Sequence, residues 1–167
     1  MDESRHASLL SGQIDRLGFE LGCVPVTLGT WHLYVACDSI VEKIAAQHVL
    51  QEAIGLDVSA HNVARMRLAG DNECAEIFTR ITADEQTHLA LGLKWLNKLG
   101  GTKANKILKK VTKISDEIAF PPELPVVPEL RLRAGYPVRW LKRECARRGS
   151  VSARELINQI QLDTEIS

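Results

Sequence analysis

Between Asp71 and about Leu99 the chain repeats apolar residues at helical spacing, and two members of the resulting stripe are ionisable. The stripe reads Cys74, Phe78, Ile81, Glu85, His88, Gly92 and Trp95. Acidic Asp71, Glu73 and Glu76 open the segment and basic Lys94 and Lys98 close it, which complements a helix dipole, and Gly100-Gly101 supplies a terminator. An unpaired carboxylate and imidazole in an apolar seam would cost several kcal/mol, so this helix calls for a partner or a metal ion.

Glu and His three residues apart lie on one helix face about a turn from each other, so both can reach a single ion. One such pair is common by chance and reads as an exposed polar pair. Here the pattern occurs twice: Asp2-Glu3-x-x-His6-x-x-Leu9 and Asp84-Glu85-x-x-His88-x-x-Leu91 agree at every specified position. Leu10, Ile14 and Leu17 form a helical stripe that Glu3 and His6 extend, which predicts a helix from Asp2 to about Leu17 with both motif residues facing the core. Two core-facing Glu-x-x-His helices, with one further Glu from each of two other helices, are what a di-metal carboxylate site in a four-helix bundle requires.

Glu52 suits one of those single carboxylates. It ends an inward stripe of Tyr34, Val41, Ala45, His48 and Glu52 on a helix predicted from about Thr30 to Ile54, a stretch free of Pro and Gly, with Gly55 as its stop. His48 on that face reads as a ligand, as a hydrogen-bond donor to a ligand, or as a core histidine. Asp38 and Glu42 read as salt-bridge residues, and His32 and His61 lack any such context.

The remaining elements are also helical. Ser59 is expected to cap a short helix through Leu68, and Ala104 to Ile118 carries Ile107, Leu108, Val111, Ile114 and Ile118 on one side with lysines opposite. Pro121, Pro122, Pro125 and Pro128 predict an extended strap across the surface. Short helices follow at about Val138 to Arg147 and Ser152 to Leu162, the second opened by a Ser152-x-x-Glu155 capping box. The expected fold class is all-α, with residues 1–118 a partial ferritin-like helical bundle and 119–167 a Pro-rich strap with short C-terminal helices. Trp31, Trp95 and Trp140 read as packing residues.

With 45% hydrophobic residues among 167, the chain can build a core of single-domain size. Lys plus Arg and Asp plus Glu both number 21, so the total charge demands neither nucleic acid nor an anionic membrane. Cys23, Cys37, Cys74 and Cys145 are too scattered for a disulfide framework and read as reduced thiols. No basic-then-apolar leader and no membrane-spanning run is present, so the expectation is a soluble cytoplasmic protein. Arg131, Arg133, Arg139, Lys142, Arg143, Arg147 and Arg148 make a basic C-terminal region that either touches RNA or phosphate or forms a solvated helix face. Neither a Walker-type loop nor a Gly-x-Ser-x-Gly elbow occurs.

Gly55-Leu56-Asp57-Val58, Gly70-Asp71, the run from Asp84 to Trp95, Arg133-Ala134-Gly135-Tyr136-Pro137 and Trp140 together resemble an uncharacterised ferritin-like family known by a domain-of-unknown-function label. Carried over position by position, the resemblance implies Glu3, His6, Glu52, Glu85 and His88 as metal ligands. It also implies an earlier start in similar proteins, whose first helix contributes a Glu without a counterpart here. On that expectation the chain is an N-terminally truncated bundle. The ion held by Glu52, Glu85 and His88 is then complete, whereas its neighbour, held by Glu3 and His6, lacks a terminal carboxylate. The cofactor expected is iron or manganese, two ions if the missing helix is supplied and one otherwise. An uncovered bundle face invites a homo-oligomer or another covering partner. The function expected is oxygen or peroxide chemistry of an oxidoreductase type. The alternative is a non-catalytic helical interaction module, or a gene fragment, that keeps the motifs as relics.

Overall fold

A computed structural model describes residues 2–118, 124–156 and 158. Among these residues the regular secondary structure is helical, apart from one isolated parallel β-bridge between Val126 and Ser150. The helices are α1 (Asp2–Arg16), α2 (Gly29–Val35), α3 (Ile40–Ile44), α4 (Glu52–Leu68), α5 (Asn72–Gly100), α6 (Ala104–Ile118), α7 (Pro128–Arg133) and α8 (Val138–Arg148). A π-helical stretch, Ala45–Gln51, joins α3 to α4 without a break.

The longest helix, α5, begins where the sequence places it. Asp71 is its N-cap, and its side chain accepts a hydrogen bond from the Cys74 amide at 3.1 Å. The helix carries the buried face Cys74, Ile77, Ile81, Glu85, Leu89, Gly92 and Leu96. Against it lie α4 and the π-helical stretch, which supply Ala45, Ala46, Val49, Leu50, Ala53 and Leu56 to the core. The expected helix from Thr30 to Ile54 is not continuous. It breaks over Ala36–Ser39, where Ser39 caps α3 by accepting from the Glu42 amide. Conversely, Gly55 does not stop the second part: the helix runs on to Leu68, and Ser59 is buried inside it. A mid-helix glycine costs only about 1 kcal/mol, less than the burial of Ala53, Ile54, Leu56 and Ala64 on either side contributes.

A tight approach sets the spacing of these two helices at the level of His48. A Cβ on Gly92 would overlap the His48 carbonyl oxygen and stand 2.8 Å from the His48 Cβ, so the seam closes only because residue 92 has no side chain.

Helix α6 spans the predicted residues and lays Leu108 and Val111 onto the same core. Lys110 of α6 donates to Asp38 at 3.1 Å and Glu42 at 2.8 Å, the salt-bridge role expected of both acids. That lysine also holds the Glu42 carboxyl below its ordinary range.

The strap expectation is corrected where it is described; Pro121 and Pro122 lie outside the described residues. Val126 and Val127 are completely buried rather than laid over the surface, and Pro128 opens α7 at its first turn, where a missing N–H is harmless. Val126, Ala134, Tyr136 and Leu141 join the core formed by α4, α5 and α6. The Ser152–Glu155 cap is formed, with the Glu155 amide donating to Ser152 Oγ at 3.1 Å, while most of the helix expected after it lies outside the described residues.

Helix α1 is attached differently. Its buried residues are His6 and Gln13, both polar. It packs along α5, with Gln13 donating to Glu73 at 2.9 Å and Arg16 paired with Asp71 at one end, and the two motifs meeting at the other. Leu17 is exposed, as are Phe19, Leu21, Val24, Val26, Leu28, Trp31 and Val35 after it.

Candidate metal centre

The two Asp-Glu-x-x-His motifs face each other across α1 and α5, and the contact is reciprocal. His88 directs Nδ1 at Glu85 Oε2, 2.8 Å away, and at Glu3 Oε1, 3.3 Å away. His6 directs Nδ1 at the other oxygens of the same carboxylates, Glu85 Oε1 at 3.2 Å and Glu3 Oε2 at 3.7 Å. Glu3 and Glu85 therefore each straddle both imidazoles, whose ring centroids are 6.2 Å apart.

The outer nitrogens are paired crosswise. His6 Nε2 donates to Asp84 Oδ2 at 3.0 Å, and His88 Nε2 donates to Asp2 Oδ2 at 3.3 Å, so the aspartate of each motif holds the histidine of the other. Arg5 braces both aspartates, at 2.6 Å from Asp84 and 3.1 Å from Asp2. An imidazole whose Nε2–H is held by a carboxylate keeps its Nδ1 lone pair for a metal ion. The aspartates and Arg5 are the functional residues that sequence reasoning missed. Their signal was the Asp that precedes Glu in both copies, which entered the motif as pattern and received no role.

Glu52, at the start of α4, completes the cluster. Ligand atoms of Glu3, Glu52, Glu85 and His88 all lie within 4.8 Å of one another. All five sequence-predicted ligands are thus brought together, four in one tight group and His6 at the far oxygens of Glu3 and Glu85. One expectation is corrected. His6 is buried, but the Glu3 side chain is 73% exposed rather than facing the core, because α1 packs chiefly against α5.

The electrostatics show how much negative charge this face carries. Burial, reinforced by the facing Glu52, pushes the Glu85 carboxyl up to about 7, while Glu52, beside His48, Glu85 and His88, goes below its ordinary value despite its own burial. The His88 imidazole is lowered by burial but raised further by Glu85 and Asp2, for a net rise. Three glutamates converge on two imidazoles, and Glu52 faces Glu85. A cluster of carboxylate oxygens and imidazole nitrogens with bridging geometry is the donor chemistry that fits divalent iron or manganese.

Other sequence candidates fall elsewhere. His48 is exposed, not a core residue, with Nδ1 3.7 Å from Glu52. Trp31 and Trp95 are exposed rather than core residues; Trp140 packs against the core. The basic C-terminal region is not a solvated face throughout. Arg131 and Arg148 are drawn inside to Asp57, and Arg147 pairs with Asp116 at 2.6 Å and Glu144 at 3.1 Å. Arg133, Lys142 and Arg143 have no ion-pair partner among the described residues. His61, which had no context in the sequence, is buried and bonded to the Pro125 carbonyl at 3.2 Å.

Fold and site thus define an all-helical protein with a carboxylate–histidine cluster between two motif helices. Residues 1–142 match the model of a family described as a protein of unknown function, DUF455, and the chain belongs to that family. No curated protein and no solved structure matches it. No helix among the described residues is long and apolar enough to cross a membrane.

Proposed function

We propose that the protein is a ferritin-like non-haem carboxylate protein that binds two divalent ions, iron or manganese, and carries out oxygen or peroxide chemistry of an oxidoreductase type. The observation that supports this most is the double straddling: Glu3 and Glu85 each present one oxygen to His6 and the other to His88. That is what carboxylates do when they bridge two ions. One position has Glu3, Glu52, Glu85 and His88 as donors, and the other has Glu3, Glu85 and His6. A metal bound there would supply one-electron redox chemistry and open positions for oxygen or peroxide.

The chain's own residues would prepare the centre. Asp84 and Asp2 hold Nε2–H of the two histidines and so fix ring orientation and tautomer. Arg5 pairs with both aspartates and keeps them in place. The exposed side of Glu3 leaves the cluster open to solvent and to small reactants.

The test is anaerobic titration with ferrous iron or manganese, followed by metal analysis of the desalted protein. Close to two ions per chain, with oxygen uptake by the iron form above that of free iron, is the expected result. Protein that retains no metal would overturn the reading.

A second reading, a helical interaction module, draws on the exposed apolar residues of the segment from Leu17 to Val35. A homo-oligomer or another partner covering them is part of either reading. Light scattering of the full chain checks it, a monomer at all concentrations speaking against self-association.

A further inference from the structure

Helices α6 and α8 are bridged at two levels and leave a space between them. Arg139 of α8 donates to Asn105 in the first turn of α6, and Arg147 of α8 pairs with Asp116 in the last turns of α6 at 2.6 Å. Both bridged residues of α6 line a cavity of about 550 Å³, a size within the range of small-molecule sites. Leu108, Tyr136 and Trp140 form its apolar wall, the two aromatic rings meeting edge-on at 5.8 Å.

Charge around this cavity is one-sided. Asp116 and Glu144 are its acids, and both are already taken by Arg147, at 2.6 Å and 3.1 Å. Lys110 is taken in turn by Asp38 and Glu42. Lys106, Lys109 and Arg143, which also line the cavity, have no ion-pair partner among the described residues. Lys113 has only Glu117 among them, at 3.9 Å, an exposed helical pair of the kind that contributes little. Lys106–Lys110 and Lys109–Lys113 are moreover like charges four residues apart, an arrangement that destabilises a bare helix.

Seven residues at a rise of about 1.5 Å set Lys106 and Lys113 about 10 Å apart along α6. A row of that length, with Arg143 contributed by α8, suits several linked anionic groups better than a single carboxylate. The bridges at Asn105 and Asp116 close the two ends, so the row is bounded and fits a small molecule better than a long strand. Lysine meets phosphate as a mobile point charge and arginine as a two-pronged donor, and the cavity offers both.

We propose that this cavity binds a small molecule carrying two or more linked phosphate groups, held by Lys106, Lys109, Lys113 and Arg143, with the rest of the molecule against Tyr136 and Trp140. The site lies between α6 and α8, apart from the carboxylate–histidine cluster of α1, α4 and α5, and it does not depend on the metal-centre reading.

Isothermal titration of the metal-free, full-length chain with inorganic pyrophosphate at low ionic strength tests this. One pyrophosphate per chain, bound more weakly as salt is added, is the expected result. Lys109→Gln and Arg143→Gln should each weaken binding about tenfold, the loss of one charge-assisted hydrogen bond. Lys94→Gln, which removes an exposed lysine of α5 outside the cavity, should leave it unchanged. No binding by the wild type, or equal weakening in all three variants, would overturn the assignment. A single-stranded RNA oligonucleotide that binds and is not displaced by pyrophosphate would overturn it too, and would make the basic face a nucleic-acid surface. Circular dichroism checks the fold, and should one cavity variant fail to fold, the other decides against the Lys94→Gln control.

Discussion

Two carboxylates near one end of α4 meet opposite fates. Asp57 is completely buried, yet it accepts the Val127 amide at 3.0 Å and Arg131 Nε at 3.2 Å, is paired with Arg131 Nη2, and has Arg148 Nη2 at 3.2 Å. Arg148 also donates to the Leu124 carbonyl, so this ion cluster clasps the C-terminal segment to α4. Glu52, at the first turn of the same helix, faces another carboxyl, Glu85, and its neighbours are imidazoles whose charge is conditional. A buried carboxylate whose cations come from its own chain is structural. Glu52 faces a second carboxylate instead, and that difference separates the clasp from the candidate site.

The largest expected effect breaks the clasp. Asp57→Ala leaves Arg131 buried without its partner and should cost about 3–5 kcal/mol of unfolding free energy. Urea unfolding of the metal-free protein measures it. A near-neutral result would erase the contrast with Glu52, whose replacement by Gln in the metal-free protein should be tolerated or slightly stabilising.

Metal should act on the other carboxylate. At a hundredfold excess over its dissociation constant, ferrous iron should stabilise the wild type by about 2.7 kcal/mol. The shift in melting temperature should vanish in Glu85→Gln. Because α1 is tied to α5 chiefly by polar contacts, its amides should gain the most hydrogen-exchange protection on loading, while the clasp region should gain none.

A smaller effect tests the reciprocity of the motifs. Asp84→Asn and Asp2→Asn should each lower metal affinity about 10–100-fold, through His6 and His88 respectively. Loss from only one of the two would mean that the crosswise pairing is not shared equally.

The smallest effect is a pH slope. Glu85 has its folded value raised from 4.5 to about 7, so the folded metal-free state binds the proton more tightly than the unfolded chain. Stability from this group is fully present below 4.5 and is lost as pH rises through about 7. His88, also raised, acts in the same direction from its ordinary 6.5 upward. Urea midpoints should therefore decline between pH 5 and 8, as a rough window from linkage. Glu85→Gln should flatten much of that decline.

Much of the fold could be read directly. The limits of α5, its Asp71 cap, α6 and α8 follow from periodicity, capping and terminators acting within a few residues. The repeated motif brings Glu3, His6, Glu85 and His88 to attention and the helical stripe adds Glu52, but the exposure of Glu3 was not legible in either. The misreadings share one cause. Gly55, the break at 36–39, the exposure of Trp31 and Trp95, and the burial of Val126 and Val127 each depend on which segment packs opposite, and local propensity is too weak to outweigh that.

The basic tail shows this best. As a string, Arg131, Arg147 and Arg148 stand against few acids, and a charged surface is the natural reading. In the folded chain Asp57, Asp116 and Glu144 meet them from elsewhere or from one turn away. The sequence by itself determined most of the helices and the repeated Asp-Glu-x-x-His motifs, since both are short-range patterns. The tertiary structure decided that each aspartate serves the other motif's histidine and that Asp57 meets cations while Glu52 faces a second carboxylate. Those outcomes depend on distances between helices far apart in the chain, which packing alone sets.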